Sequence, residues 1–296
     1  MSRILVVGSV NMDLAMTTDR LPALGETAAA RGFACHPGGK GANQAVAAAR
    51  LGAQVAMLGC VGDDAFGREL RAHLQAQGVD ASRLRMADAP TGVASIAVCG
   101  GDNAILVAPG ANHCLRPEHL GAEASAFAAA DAVLVQLEIP LETAARAAEL
   151  AERHGKPLLL NPAPAQALPP ELLRRVVLLL PNEHELHAAL GSPGEDWREL
   201  LARHPGRVLM TRGRDGAYFC EASGRLRHLP GHVVQAVDST GAGDAFCGAL
   251  AAFLPLGLEE AARRANAAAA LSVTRPGAQS GMPSLAELDA FLSSLA

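Results

Sequence analysis

The sequence predicts an α/β protein: a mostly parallel central sheet with helices on both faces. Three observations carry this. Apolar strand-like runs alternate with Ala- and Leu-rich helical runs for most of the 296 residues, the cadence of strand–helix–strand units. Half of the residues are apolar, enough for one large α/β domain or two small ones. No Gly-, Ser- or Pro-rich linker and no repeat divides the chain, so residues 1–296 are expected to form a single domain.

Taken in order, Ile4–Val7 is an apolar run and predicts the first strand. Gly41–Leu51 is Ala-rich and stops at Gly52, which marks a helix end. Val55–Gly59 is the next strand and Phe66–Gln77 the next helix. Glu118–Ala129 predicts a helix before the strand Ala132–Gln136. Leu141–His154 and Pro157–Leu160 repeat the pair, as do Val177–Leu180 with Glu183–Leu190. Val208–Thr211 is a further strand, and the alternating Val233–Val237 another. Three helices close the chain, at Ala245–Leu254, Glu259–Ser272 and Leu285–Leu295. Two segments break the cadence. Asp13–Thr18 with Thr27–Phe33, and Gly92–Val98 with Ala104–Val107, are short strands joined by turns without a helix between. They form either a small antiparallel sheet outside the main one, covering the site (segments 13–33 and 92–107), or ordinary edge hairpins. Periodicity does not separate the two.

Composition excludes several classes. Charged residues make up 19%, the net charge is −5 and aromatics are 3%, where a nucleic-acid surface wants basic clusters and stacking rings. No apolar run approaches a membrane span. The six cysteines are scattered with no C-x-x-C pair, and are read as free thiols of a reducing cytoplasm. Met-Ser-Arg followed at once by Ile4 to Gly8 reads as a first strand, not a signal peptide.

The most informative stretch is Asp238-Ser-Thr-Gly-Ala-Gly-Asp-Ala-Phe246, between the alternating valines and an Ala-rich run. Read as strand, Gly-rich turn and helix start, it leaves backbone N–H groups of Gly241, Ala242 and Gly243 open to an anion. A carboxylate there, Asp244, could take a proton from a nucleophile attacking that anion. Phosphoryl transfer needs both parts, although an Asp at a helix start is often only a cap. A dinucleotide fingerprint is excluded, because Phe246 stands where G-x-G-x-x-G needs its third glycine.

Pro37 to Ala45 is a second Gly-rich helix start. It is not a Walker A loop, since Gly41 follows Lys40 where Ser or Thr is required. Lys40 and Asn43 either bind a hydroxylated ligand or cap and solvate the helix. Pro181-Asn-Glu-His-Glu185 follows an apolar strand. Asn182 and Glu185 suit Mg²⁺, or equally a capping box. His184-Glu-Leu-His187 is one residue short of the zinc-protease spacing. Asn11, Asp13, Glu138, Asn161-Pro-Ala-Pro164 and Thr211 to Gly216 all follow predicted strands. They share the rim where such sheets bind ligands, a rim suited to a polyol with an anion site opposite.

These motifs together resemble the ribokinase branch of the PfkB carbohydrate kinase family, from Val6 to about Pro283. Both family signatures are present, Gly38-Gly-Lys-Gly-Ala-Asn-Gln44 and Asp238-Ser-Thr-Gly-Ala-Gly-Asp244. Gly8-Ser-Val-Asn-Met-Asp13, Pro22 to Thr27, Thr91 to Ala94, Asn161 to Ala165 and Val273 to Gln279 are also similar. The resemblance implies a three-layer α/β/α fold with a small β-sheet lid, and ATP-dependent phosphorylation of D-ribose at its primary hydroxyl. By that resemblance Asp244 is the base and Gly241, Ala242 and Gly243 are the anion hole. Asn11, Asp13, Gly39, Lys40, Asn43 and Glu138 hold the sugar. Asn182, Thr211, Gly213, Gly216, Gly243 and Asn266 lie near the nucleotide, with Asn182 and Glu185 tied to Mg²⁺ through water. The lid implies a homodimer contact.

The resemblance also implies activation by a monovalent cation, usually K⁺, on the Asp238 side chain and carbonyls of Thr240, Ser272, Arg275 and Gly277. Gly281 stands where the family pattern has a Ser, so Ser280 or water completes that shell, or cation affinity is weakened. Other readings are a kinase for 2-deoxyribose, fructose, a ketodeoxy acid or adenosine, and a catalytically silent sugar-binding protein. Scarce aromatics near the lid disfavour a nucleoside, and the intact Asp244 turn disfavours a silent relative.

Overall fold

The computed structural model describes residues 1–100 and 102–295, so Gly101 of the expected lid segment lies outside it. From the N-terminus the chain runs β1 (Arg3–Val7), β2 (Asn11–Thr18), β3 (Gly32–Gly38), α1 (Lys40–Arg50), β4 (Gln54–Gly62) and α2 (Ala65–Ala76). Four strands follow: β5 (Val79–Asp80), β6 (Leu84–Ala87), β7 (Gly92–Cys99) and β8 (Asp102–Ala108). Next come α3 (Pro117–Ala122), α4 (Ala124–Ala129), β9 (Ala132–Val135), α5 (Leu141–Arg153), β10 (Leu158–Leu160), α6 (Pro170–Arg175) and β11 (Leu178–Leu179). The last third holds α7 (Glu183–Ala189), α8 (Trp197–Arg203), β12 (Leu209–Thr211), β13 (Gly216–Cys220) and β14 (Leu226–Pro230). It ends with α9 (Ala242–Phe253), α10 (Leu258–Ser272), α11 (Ala278–Gly281) and α12 (Leu285–Ser294).

Among the described residues the central sheet has seven strands in the order β11-β10-β9-β1-β4-β5, with β6 also on β4. Every pair in it is parallel. Its middle strand shows why the run Ile4–Val7 has no polar position. Ile4 and Val6 face one buried cluster with α1, α9 and α10, while Leu5 and Val7 face a second with α5 and Phe127. Two buried faces demand apolar residues at both parities. Bridges Leu179–Val208 and Asn182–Thr211 attach the antiparallel sheet β12-β13-β14 beyond β11.

A four-stranded sheet, β3-β2-β7-β8, stands apart from this body. The outer pairs are antiparallel, but the middle pair β2–β7 is parallel, so the expected all-antiparallel sheet is mixed. Its second strand is also displaced: instead of Thr27–Phe33, pairing runs from Gly32 to Gly38. The shift matters, because it carries the chain straight from this sheet into α1.

Two expected elements differ further. Val233–Val237 is not a strand. β14 ends at Pro230, which has no N–H to extend a ladder, and Val233 and Val237 lie exposed. The segment crosses the surface without a strand partner, and Val237 N–H donates to Val273 O at 2.7 Å. Alternation alone cannot supply a neighbouring strand. The helix expected over Glu118–Ala129 breaks at Glu123 into α3 and α4. β5, β6, β13, β14, α6, α8 and α11 were not marked by the hydrophobic pattern.

Candidate active site

The site lies beyond the carboxyl ends of the central strands, where β1, β9, β10 and β11 give way to loops. There the N-terminus of α9 meets α1. Gly241 caps α9 in the left-handed region at φ 77°, where only glycine is unstrained. The turn is open as expected with one difference: the N–H of Ala242 is already accepted by Ser239 O at 3.2 Å. The donors left to an anion are those of Gly241, Gly243 and Asp244, since no residue precedes them in the helical ladder.

Asp244 sits in the first turn of α9 and is 7% exposed. Its two oxygens are held separately. Asn43 Nδ2 donates to Oδ2 at 2.9 Å and Gln44 Nε2 to Oδ1 at 2.9 Å. Both donors come from the first turn and a half of α1. They reach Asp244 because α1 and α9 cross closely at Gly248, where an added Cβ would lie 2.5 Å from Gln44 O and 2.7 Å from Ala47 Cβ.

A cavity of about 200 Å³ opens over this carboxylate. Lys40, Asn161, Asn182, Glu185, Thr211 and Cys247 wall it, together with Gly241 to Asp244. Burial by itself would lower the Lys40 ammonium, but the negative fields of Asp244, Glu138 and Glu185 outweigh it and raise its pKa. Burial raises the Glu185 carboxyl above the usual range, partly offset by the Asn182 N–H it accepts. Burial also pushes the Cys247 thiol well above the ordinary cysteine value, so it faces the cavity as a neutral group. Asn182 and Glu185 do form a capping box: Asn182 Oδ1 accepts from Glu185 N–H at 2.8 Å and Asn182 N–H donates to Glu185 Oε2 at 2.9 Å. Glu185 Oε1 takes no part in the box, and Glu185 lines the cavity.

A second cavity of about 940 Å³ lies between the four-stranded sheet and the loops before α9 and α11. Asp13, His36 and Ile96 line one side, Asp238, Arg275 and Gly277 the other, and Ser239 belongs to both cavities. Asp13 is raised to about 7, by burial first and then by the charges of Glu138 and Asp244. Glu138 is held by Ser9 Oγ at 2.5 Å and by Lys40 N–H at 3.0 Å. Asn11 is buried and its Oδ1 accepts from Asn112 Nδ2 at 2.7 Å. Gly39 forms the N-cap of α1 between these groups.

The loop behind the anion turn gathers the other expected ligands. Burial works to raise the Asp238 carboxyl, but N–H donors of Thr240 and Gly277, at 2.9 and 2.7 Å, bring it below the ordinary range. The carbonyls of Ser272 and Arg275 converge on the space a Gly281 side chain would fill. A Cβ there would collide with Ser272 O and stand 3.5 Å from Arg275 O. Ser280 Oγ donates to Pro276 O at 2.6 Å.

The structure thus gathers Asp13, Lys40, Asn43, Glu138 and Asp244 in one place, and Asn182, Glu185 and Thr211 beside them. Gly213, Gly216 and Asn266 lie outside the walls of the smaller cavity. Asn266 Nδ2 donates to Leu229 O at 2.9 Å, which ties α10 to the end of β14. Sequence reasoning missed Gln44, Asn112 and Cys247 as members of the site. Gln44 was legible only as part of a signature, and its partner stands 200 residues away.

The family model for pfkB family carbohydrate kinases matches residues 1–285. The chain is 42% identical to a ribokinase of Bacillus subtilis, over 99% of this chain and 100% of that one. It is 37% identical to a deoxyribokinase of Salmonella typhimurium, over 98% of each chain. Its fold superposes on an Arabidopsis thaliana ribokinase complexed with ribose and ATP at a TM-score of 0.90, with 32% identity and 98% of each chain covered. The chain therefore belongs to the pfkB family of carbohydrate kinases.

Proposed function

We propose that this protein is a ribokinase, transferring the terminal phosphoryl group of ATP to the primary (O5) hydroxyl of D-ribose to give D-ribose 5-phosphate and ADP. The observation that carries this reading is Asp244, a buried carboxylate at the floor of a cavity and at the N-terminus of α9. A base and an anion site within one helical turn are what in-line transfer to an alcohol requires. The names of the relatives supply the sugar.

In this reading Asp244 accepts the proton of the primary hydroxyl as it attacks. The open N–H groups of Gly241, Gly243 and Asp244 at the Gly241-Ala242-Gly243 turn stabilise charge on the transferring group, and Lys40 adds a full positive charge on the same cavity. Asn11, Asp13, Gly39, Asn43 and Glu138 bind the sugar hydroxyls. Thr211, with Asn182, Gly213, Gly216 and Asn266 around it, accommodates the nucleotide. Mg²⁺ accompanies ATP and offsets its phosphate charge. Asn182 and Glu185 fit a Mg²⁺ that keeps its water shell, since no three-carboxylate, His or Cys cluster exists among the described residues. Carbonyls of Ser272, Arg275, Thr240 and Gly277, with Asp238 and the Ser280 oxygen, fit a monovalent cation such as K⁺.

The four-stranded sheet acts as a lid that excludes water during transfer. Its outer strand β8 leaves Ile105, Leu106 and Val107 exposed, an apolar surface that supports a homodimer through the lid. All six cysteines are free thiols, in keeping with a cytoplasmic enzyme. No helix among the described residues is long and apolar enough to cross a membrane.

The test is ADP release from Mg-ATP over a panel of pentoses, hexoses and nucleosides, with K⁺ or Na⁺ as sole monovalent cation. D-ribose is expected to be preferred, with stimulation by K⁺. Asp244→Asn is expected to lower kcat by about three orders of magnitude or more and to leave sugar binding largely intact. Comparable turnover in that variant would remove Asp244 as the base. The 37% identity to a deoxyribokinase favours 2-deoxyribose as the second reading, decided by the ratio of kcat/KM for the two pentoses.

A further inference from the structure

Behind the catalytic carboxylate lie two chains of amide side chains, and both point their donors the same way. On one side Asn43 Nδ2 donates to Asp244 Oδ2, Gln279 Nε2 donates to Asn43 Oδ1 at 3.0 Å, and Gln279 Oε1 meets His73 Nε2 at 2.8 Å. On the other side Gln44 Nε2 donates to Asp244 Oδ1, and Gln136 Nε2 donates to Gln44 Oε1 at 2.6 Å. Asn43, Gln44, Gln136 and Gln279 are all buried. Neither Gln136 nor Gln279 lines either of the cavities described above.

The sense of both chains follows from one fact. A carboxylate only accepts hydrogen bonds, so each amide touching it must present N–H and turn its carbonyl away. That carbonyl then needs a donor from behind, or the amide gains by rotating half a turn. Rotation would place a carbonyl oxygen against the carboxylate. Gln279 and Gln136 supply the donors. The second chain ends with Gln136 Oε1 buried and with no hydrogen-bond partner among the described residues. An unpaired buried acceptor is destabilising, and a fold that only needed packing there would be more stable with an apolar side chain.

We propose that Gln136 and Gln279 are positioning residues that act through Gln44 and Asn43, holding both amides in the orientation that aims the Asp244 carboxylate at the acceptor hydroxyl. This rests on Asp244 being the base. The carboxylate is gripped from both sides by oriented amides, so its oxygens are set before substrate arrives, and no reorientation is needed at the moment of transfer.

Gln136→Met and Gln279→Met each remove the rear donor at nearly constant volume. Each is expected to lower kcat by roughly 10- to 100-fold, with KM for the sugar changing less than about threefold. A purely structural role would lower the melting temperature and leave kcat of the folded variant in place, whereas a positioning role lowers kcat with KM for the sugar nearly unchanged. Folded variants with kcat within about twofold of the parent would overturn the proposal. A readout on the unmutated protein stands beside them: the side-chain amide protons of Gln44, Gln136, Asn43 and Gln279 should exchange slowly with solvent, and rapid exchange overturns it equally. If Asp244→Asn keeps its turnover, the base assignment has failed. If that variant is inactive while both Met variants behave as the parent, only the positioning role has failed.

Discussion

At the scale of single residues, Asp13 shows the conflict between binding and stability most plainly. Its carboxyl is held at about 7, against an ordinary value of 3.8, by burial and by the charges of Glu138 and Asp244. In the unfolded chain it releases its proton near pH 4. The folded form therefore binds an extra proton between those values, and the stability this group contributes is present at low pH and lost as pH rises through about 7. Asp13→Asn removes the ionisable group. Thermal unfolding without ligand should show the variant gaining on the parent, by more at about pH 8 than at about pH 5, up to a few kcal/mol. Sugar affinity should fall in the same variant. An equal difference at both pH values would mean that Asp13 is not perturbed in the folded state.

At the scale of elements, the site depends on how near α1 comes to α9. Asn43 and Gln44 reach Asp244 only because Gly248 has no side chain at the crossing. Gly248→Val should push the helices apart and destabilise the fold by about 1–3 kcal/mol through overpacking. Activity should fall far more than stability accounts for, because both amide donors to Asp244 recede together. Melting temperature and kcat measured on the same preparation check this, and a loss of stability with unchanged kcat would separate the crossing from catalysis. The same scale explains which elements the pattern of the sequence revealed. β1 and β9 were legible because parallel strands buried on both faces are apolar throughout. Val233–Val237 misled because alternation reports a half-buried strand only where a neighbour exists, and Pro230 had already closed that edge. The displaced start of β3 and the break at Glu123 are boundary effects that local composition does not encode.

At the scale of the whole molecule, the four-stranded sheet is the part that looks unfinished. Leu106 is 79% exposed, with Ile105 and Val107 exposed beside it on β8 and Phe33 exposed on the opposite edge strand β3. Under the proposed homodimer, Leu106→Asp should convert a species of twice the chain mass into one of chain mass in sedimentation experiments. It should also raise KM for the sugar, since Asp13 belongs to the same sheet. A parent protein that sediments as a monomer at micromolar concentration would remove the dimer.

What the amino-acid order determined by itself was local and periodic. It set the α/β cadence, helices beginning near Gly41 and Ala245 (one and three residues after their starts in the fold), and the turn that places Asp244 beside open N–H groups. It also carried two signatures distinctive enough to identify the family. These were readable because each depends on residues within a few positions of one another. Only the tertiary structure decided which amide faces which carboxylate. Asn43 and Asp244 are 201 residues apart, Gln279 and Asn43 are 236 apart, and Gln136 and Gln44 are 92 apart. The choice between a polar residue that merely caps a helix and one that orients a base is made by the packing of α1 on α9 and by the burial that leaves each amide no water to turn to.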